Sequence, residues 1–340
     1  MTYDELLENA RKYLGPHCKG CAVCNGAACR NTMPGPGAKG TGDNAIRNYS
    51  RWRDIRINMD TLTDVRSADT SVEIFGRSFK YPIFAGPVGA VKMHYSDRYD
   101  DASYNNILVS ACAEAGIAAF TGDGTDPMVM EHACSAIKNS SGAGIPTVKP
   151  WNMETIKEKL ALVRSSKAFA CAMDIDGAGL PFLKNMDPPA GNKSTDELHA
   201  VAEEAGVPFI VKGIMTVKGA VKAVEAGASG IIVSNHGGRV LDQCPATAEV
   251  LAEIADAVRG KITIFVDGGI RSGTDVFKAL AMGADAVVIA RPYVTAVYGG
   301  DAEGVRLYTE KIGEELRDAM LMCGAASLKD IDRSMVRLPR

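Results

Sequence analysis

Residues 208–242 read PFIVKGIMTVKGAVKAVEAGASGIIVSNHGGRVLD. Two short apolar runs, PFIVK (208–212) and GIIVS (230–234), flank TVKGAVKAVEAG (216–227), a helical pattern that ends in a glycine suited to a left-handed cap. Strands that are apolar on both faces and joined by a helix belong to a parallel sheet covered by that helix. The unit repeats outward in both directions. Upstream lie PIFAG (82–86), IAAFT (117–121), PTVK (146–149) and FACAMD (169–174), and downstream ITIFVD (262–267) and AVVIA (286–290). Helical stretches such as METIKEKLALVRSS, TAEVLAEIADAVRG and SGTDVFKALAMG separate them. Eight such units in roughly 210 residues predict a closed (β/α)8 barrel, with an open doubly wound sheet as the alternative.

Composition agrees with layered parallel strands: the chain of 340 residues is 46% hydrophobic but only 6% aromatic, with 35 glycines for tight turns. A formal charge of −3 provides no basic surface for nucleic acid. No apolar run approaches the ~20 residues of a membrane span, and MTYDELLENARKYLG is a polar amphipathic pattern rather than a signal peptide. A cytoplasmic protein without a membrane partner is the expectation. Residues 1–81 read as an N-terminal extension packed on the barrel, with an irregular stretch at 15–44, a helix through RNYSRWRDIRINMD and a hairpin in SVEIFGRSFKYP. Residues 82–340 form the barrel, closed by a helix over about 303–322 and a charged tail.

Functional residues of such barrels sit at the C-terminal ends of the strands. The fifth strand ends in Lys212, the sixth in Ser234, Asn235 and His236, the seventh in Asp267, Gly268 and Gly269, and the eighth in Ala290 and Arg291. Their repetition at four successive ends outweighs the bland reading of each one, a solvated lysine or a simple DGG turn. Glycines after the seventh strand and the loop around Arg291 suit a phosphate, which Arg271 and Arg291 can pair with. Lys212 places a fixed positive charge where a cofactor gathers negative charge. His236 is a natural general base near neutral pH, and Arg239 can clamp a carboxylate. A phosphate-bearing cofactor that becomes anionic, a base and a carboxylate clamp point together to flavin oxidation of a hydroxy acid.

The same residues carry a resemblance. IIVSNHGGRVLD, with VKG centred 24 residues before His236 and FVDGGIRSGTDVFKALAMGADAVVIARP after it, resembles the FMN-dependent 2-hydroxy-acid oxidase and dehydrogenase family, to which glycolate oxidase, lactate oxidase and mandelate dehydrogenase belong. YPIFAGPVGAVKM (81–93) is similar to that family's first barrel strand and INMDTL to its pre-barrel segment. The resemblance implies FMN as cofactor and a small 2-hydroxy acid, lactate- or glycolate-like, as substrate. It implies that Lys212 faces the flavin pyrimidine edge, that His236 takes a substrate proton and that Arg239 holds the carboxylate. It further implies that Asp267, Gly269, Arg271 and Arg291 serve the ribityl phosphate, that Ser234 lies on the flavin side of its strand, and that Pro87, Val88 and Gly89 run along the ring. O2 or an electron-transfer partner would accept the electrons, and a homo-oligomer is implied.

The chain also departs from that family. Thr147 and Lys149 stand where members carry Gln-x-Tyr, and MDIDGAG (173–179) replaces Thr-x-Asp, leaving Asp174 or Asp176 to orient the histidine. GLPFLKNM lacks the second substrate-binding arginine, and a Cys-rich segment occupies the place of the N-terminal tyrosine. An FMN isomerase of the type 2 isopentenyl diphosphate kind and a flavin- and metal-carrying electron-transfer protein are the alternative readings.

Cys18, Cys21, Cys24 and Cys29 give C-x2-C-x2-C-x4-C, a spacing that suits zinc or an iron–sulfur cluster; the alternative is a loop of free or redox-active thiols. Cys112, Cys134, Cys171, Cys244 and Cys323 are scattered and read as structural. GPGAKG (35–40) fits a dinucleotide fingerprint by letter only, since it contains Pro36, follows no strand and opens no helix. His94, His132 and His199 read as structural.

Overall fold

The computed structural model describes residues 1–187 and 189–339; Pro188 and Arg340, both within the segment 82–340, lie outside the described residues. Eight strands close into an all-parallel barrel: β1 Ile83–Ala85, β2 Ala118–Thr121, β3 Gly144–Val148, β4 Cys171–Asp174, β5 Phe209–Ile214, β6 Gly230–Val233, β7 Thr263–Val266 and β8 Ala286–Ile289. Each pairs with its sequence neighbours, and β8 closes on β1 through Val287–Ile83 and Ile289–Ala85. β3 begins earlier than PTVK suggested and stops at Val148, so Lys149 stands in the loop above it. β5 continues past Lys212 through a register shift into Ile214. Gly213 makes that shift with φ +105°, and a Cβ there would lie 2.7 Å from Asp176 Cβ. The glycine therefore lets the β4 loop close down onto Lys212.

Alternate side chains point into the barrel and form one cluster that includes Phe84, Phe120, Ile145, Ile210, Ile232 and Phe265. Phe84 and Phe265 meet edge to face, 5.3 Å between centroids at 87°. The hairpin Val72–Ile74 and Arg77–Phe79 plugs the bottom, with Ile74 and Phe79 in the same cluster. A filled interior leaves ligand space only at the top.

Outer helices are started by side-chain caps, among them Asn152, Ser194, Thr216 and Ser272. The helix Tyr3–Tyr13 opens with a capping box at Thr2 and Glu5 and buries Leu6, Leu7 and Ala10. Those residues meet the final helix, where a Cβ at Gly299 would lie 2.3 Å from the Leu6 carbonyl oxygen. That final helix departs from the sequence expectation: it spans Arg291–Leu321, starting directly at the end of β8, and is interrupted at Gly300–Asp301. Pro292 in its first turn favours the early start, and the Gly299–Gly300 pair disguised it as a loop.

The helix Asp43–Asp54 crosses the mouth of the barrel beside β6 and β7. Asn48 and Asn235 exchange amide hydrogen bonds of 2.7 and 3.0 Å, and Trp52 Nε1 donates to the Gly268 carbonyl at 2.7 Å. The extension thereby fixes the loops that carry His236 and Gly268.

Candidate active site

A cavity open to solvent lies over the C-terminal ends of the strands. Pro87, Val88 and Gly89 form one wall; Lys212, His236 and Arg239 stand opposite, and Asp267, Gly268, Gly269, Arg271, Ala290 and Arg291 complete the far end. Asp174 also lines it. Two candidates from the sequence stand behind the wall. Ser234 Oγ donates to Asp267 Oδ2 at 2.8 Å and accepts from the His236 backbone N–H at 3.1 Å. Asp176 backs the histidine.

His236 begins a short 3-10 turn with a left-handed φ of +54°, a conformation that costs energy for a side-chain-bearing residue and aims the imidazole inward. Its Nδ1 lies 2.9 Å from Asp176 Oδ1, 3.2 Å from Lys212 Nζ and 3.8 Å from Asp174 Oδ2. An ionised carboxylate only accepts, so Nδ1 carries the proton and donates to Asp176, while Lys212 is a charged neighbour. Of the two aspartates left open by the sequence, Asp176 thus orients the imidazole. Asp174 instead accepts from Lys149 Nζ at 2.6 Å. Burial and then Lys212 push the His236 pKa down, with Asp176 opposing. Burial works against the Asp176 charge, but Lys212 and His236 outweigh it and hold the carboxyl far below its usual range. The Lys212 ammonium is likewise disfavoured by burial and held raised by Asp176, Asp267 and Asp174. The result is a neutral imidazole whose Nε2 has no partner among the described residues.

Asp267 differs: burial pushes its pKa up to about 6 despite Lys212 and Ser234. Several buried polar atoms around the strand ends have no protein partner, namely Thr121 Oγ1, Thr147 Oγ1, Asp174 Oδ1, Asp176 Oδ2, Asp267 Oδ1 and Arg291 Nη1. Thr147, Asp174, Asp267 and Arg291 of this set line the cavity, and since buried polar groups require partners they mark the place of a polar ligand.

The irregular N-terminal segment covers this mouth. Arg239 Nη1 donates to the carbonyls of Gly35 at 2.5 Å and Gly37 at 3.1 Å, and Gly35 N–H donates to His94 Nδ1 at 3.0 Å. GPGAKG is no fingerprint, yet Gly35 and Pro36 line the cavity. His94 and Tyr95 line it too, and Tyr95 is a cavity tyrosine that the sequence did not reveal. Burial, then Arg239 and Lys149, push the His94 pKa down to about 3, so it accepts the Gly35 bond in neutral form. His132 and His199 are not among the cavity-lining residues. In place of a second arginine, Leu180 and Phe182 form part of the wall.

The four clustered cysteines are half-buried free thiols beside the phosphate-side arginines. Arg271 Nε donates to the Cys24 carbonyl at 2.7 Å. The only group of three or more His, Cys, Asp or Glu side chains whose ligand atoms fall within 4.8 Å of one another, among the described residues, is Asp174, Asp176 and His236. The zinc alternative is therefore not assembled, since a tetrahedral ion at a Zn–S distance of 2.3 Å would hold sulfurs about 4 Å apart. Cys112, Cys134, Cys171 and Cys323 are buried, whereas Cys244, read with them as structural, is half-buried.

The FMN-dependent dehydrogenase family matches residues 35–181 and 181–338. The chain is 32% identical over 325 residues to the peroxisomal (S)-2-hydroxyacid oxidase GLO3 of Arabidopsis thaliana, covering 85% of this chain and 87% of that one. It is 45% identical over 338 residues to 2-hydroxyacid oxidase 1 of Mus musculus (86% and 87%), and 30% identical over 315 residues to L-lactate oxidase of Lactobacillus jensenii (85% and 77%). Among solved structures, mandelate oxidase with (S)-4-hydroxymandelic acid superposes with a TM-score of 0.80 at 25% identity over 99% of both chains. A mandelate oxidase variant with the C4a-OH-FMN adduct gives 0.76 at 28% identity over 97% of both.

Proposed function

Since the chain belongs to the FMN-dependent dehydrogenase family, we propose that it oxidises a small 2-hydroxy acid to the 2-oxo acid, with His236 as base. The observation that carries this reading is the neutral imidazole held by Asp176 and Lys212 at the floor of a cavity edged by unpartnered polar atoms. Those atoms fit FMN: Arg291 Nη1, with Arg271 and the backbone at Gly268 and Gly269, would hold the phosphate, and Lys212, Thr147 and Asp267 would face the ring's polar edge. FMN bound there supplies the hydride acceptor. His236 Nε2 takes the hydroxyl proton, Asp176 stabilises the imidazolium that results, and Lys212 keeps a fixed positive charge beside the ring. Arg239 binds the carboxylate through the guanidinium edge not used by Gly35 and Gly37. Tyr95 lies close enough to Arg239 and Arg291 to feel both charges, and takes the place of the missing tyrosine. Met93, Leu180 and Phe182 offer the substituent on the acid an apolar wall. Homology to 2-hydroxy-acid oxidases favours oxidation over the isomerase alternative.

Anaerobic mixing of the flavin-loaded protein with a panel of 2-hydroxy acids tests the proposal. At least one acid should bleach the flavin absorbance; no bleaching by any of them would overturn it. Arg239→Ala removes a charge-assisted contact and should weaken interaction with the acid by about 1.5–3 kcal/mol. Titrating the bleaching rate against acid concentration measures this, and an unchanged half-saturation would remove Arg239 from the substrate site.

A further inference from the structure

The segment between the helices Tyr3–Tyr13 and Asp43–Asp54 contains no helix or strand. A structureless run of that length inside a compact fold, well beyond about 12–15 residues, normally serves a function or is tied down by something other than a core. Its anchors to the barrel mouth lie past the cysteines, at Gly35, Gly37 and Lys39, whereas around the cysteines they are few: Arg11 Nε to the Gly20 carbonyl at 2.8 Å and Arg271 Nε to the Cys24 carbonyl at 2.7 Å. The four cysteines lie at its centre, none of them in a disulfide. Cys18 is within charge-interaction range of Cys21, Cys24 and Cys29, and Cys21 is within range of Cys24 and Cys29. No three of the four sulfurs lie within the spread that a single ion allows, so one ion does not account for this group of neighbouring thiols. Thiolates bound to different metal atoms of one cluster are spread more widely than thiolates on one ion. Cations surround the centre, with Arg11 near Cys21 and Arg271 and Arg291 near Cys24, and they would offset the charge of four thiolates.

We propose that Cys18, Cys21, Cys24 and Cys29 bind an iron–sulfur cluster at the barrel mouth. The site borders the substrate cavity, because Arg291 lines that cavity and also lies against Cys24 and Cys29. Its role as an electron outlet rests on the proposed oxidation of a hydroxy acid. The acid loses two electrons and two protons in becoming the 2-oxo acid. The cluster takes the two electrons one at a time from the reduced flavin and passes each to a one-electron acceptor in solution, a small redox protein or a complexed ferric ion. The oxidised flavin is restored, two acceptors are reduced and two protons leave to solvent.

Protein purified anaerobically and reconstituted with ferrous iron and sulfide provides the test. Iron and acid-labile sulfide should be found in equal amounts alongside FMN, and dithionite should produce the electron paramagnetic resonance signal of a reduced cluster. Cys21→Ser should lose iron, sulfide and signal, keep FMN and its bleaching by the acid, and lose acid-dependent ferricyanide reduction. Flavin-loaded wild-type protein without iron or sulfide, or with zinc alone, overturns the proposal even if the variant fails to fold. Iron and sulfide without bleaching by any acid would leave the cluster standing and remove the hydroxy-acid reaction instead.

Discussion

His236→Ala is expected to lower the rate of anaerobic flavin reduction by the acid by about 10²–10⁴-fold while FMN stays bound, the usual range for loss of a positioned general base. The imidazole touches the cavity but carries none of the phosphate-side contacts, so flavin content should match the wild type. The wild-type pH profile provides a second reading of the same group. A base acts in its neutral form, and burial with Lys212 lowers the pKa of His236 in the folded protein. Protonation therefore sets in only below the ordinary histidine value of about 6.5, and the acid limb of kcat/KM should fall there. An acid limb above that value would show that Asp176 dominates over Lys212. Reduction by the alanine variant within roughly tenfold of wild type would remove His236 as the base.

The barrel was legible because its strands are apolar on both faces and its helices are marked by capping residues, both local signals. So were Lys212, His236, Asp267 and Arg291, since strand ends fix the mouth once strands are assigned. The choice between Asp174 and Asp176 was not. The two lie two residues apart, and the outcome depends on Gly213, a bulge on the neighbouring strand that admits the Asp176 loop. Tyr95, His94 and the Gly35–Gly37 carbonyls were also hidden, because their positions follow from contacts such as Arg239 to Gly35, between distant parts of the chain and without periodicity. The cysteine motif was visible as spacing, but only the fold shows it beside Arg271 and Arg291 rather than on a separate knuckle.

Lys212→Met should be the most destabilising single change at the site, at about 3–5 kcal/mol near neutral pH, because it leaves buried carboxylates without their counter-charge. Lys212 is 3% exposed, its ammonium lies 3.6 Å from Asp176 Oδ1, and Asp267 and Asp174 also raise its pKa. Its folded pKa lies above the unfolded value, so its contribution is complete at neutral pH and fades only in the alkaline range. In the variant its neighbours shift upward: Asp267, already raised by burial to about 6, rises further above its unfolded value, and Asp176 loses the largest of the charges that hold it down. Carboxyls with raised folded values favour the fold at low pH and penalise it as pH rises through those values. The deficit against wild type should therefore be largest near about pH 8 and shrink toward about pH 5. Urea unfolding of both proteins at saturating FMN measures it, since the slope with denaturant should be unchanged while the midpoint shifts. A loss below roughly 1 kcal/mol at the higher pH, or a deficit that grows on acidification, would mean that Asp174, Asp176 and Asp267 do not depend on Lys212 for their charge.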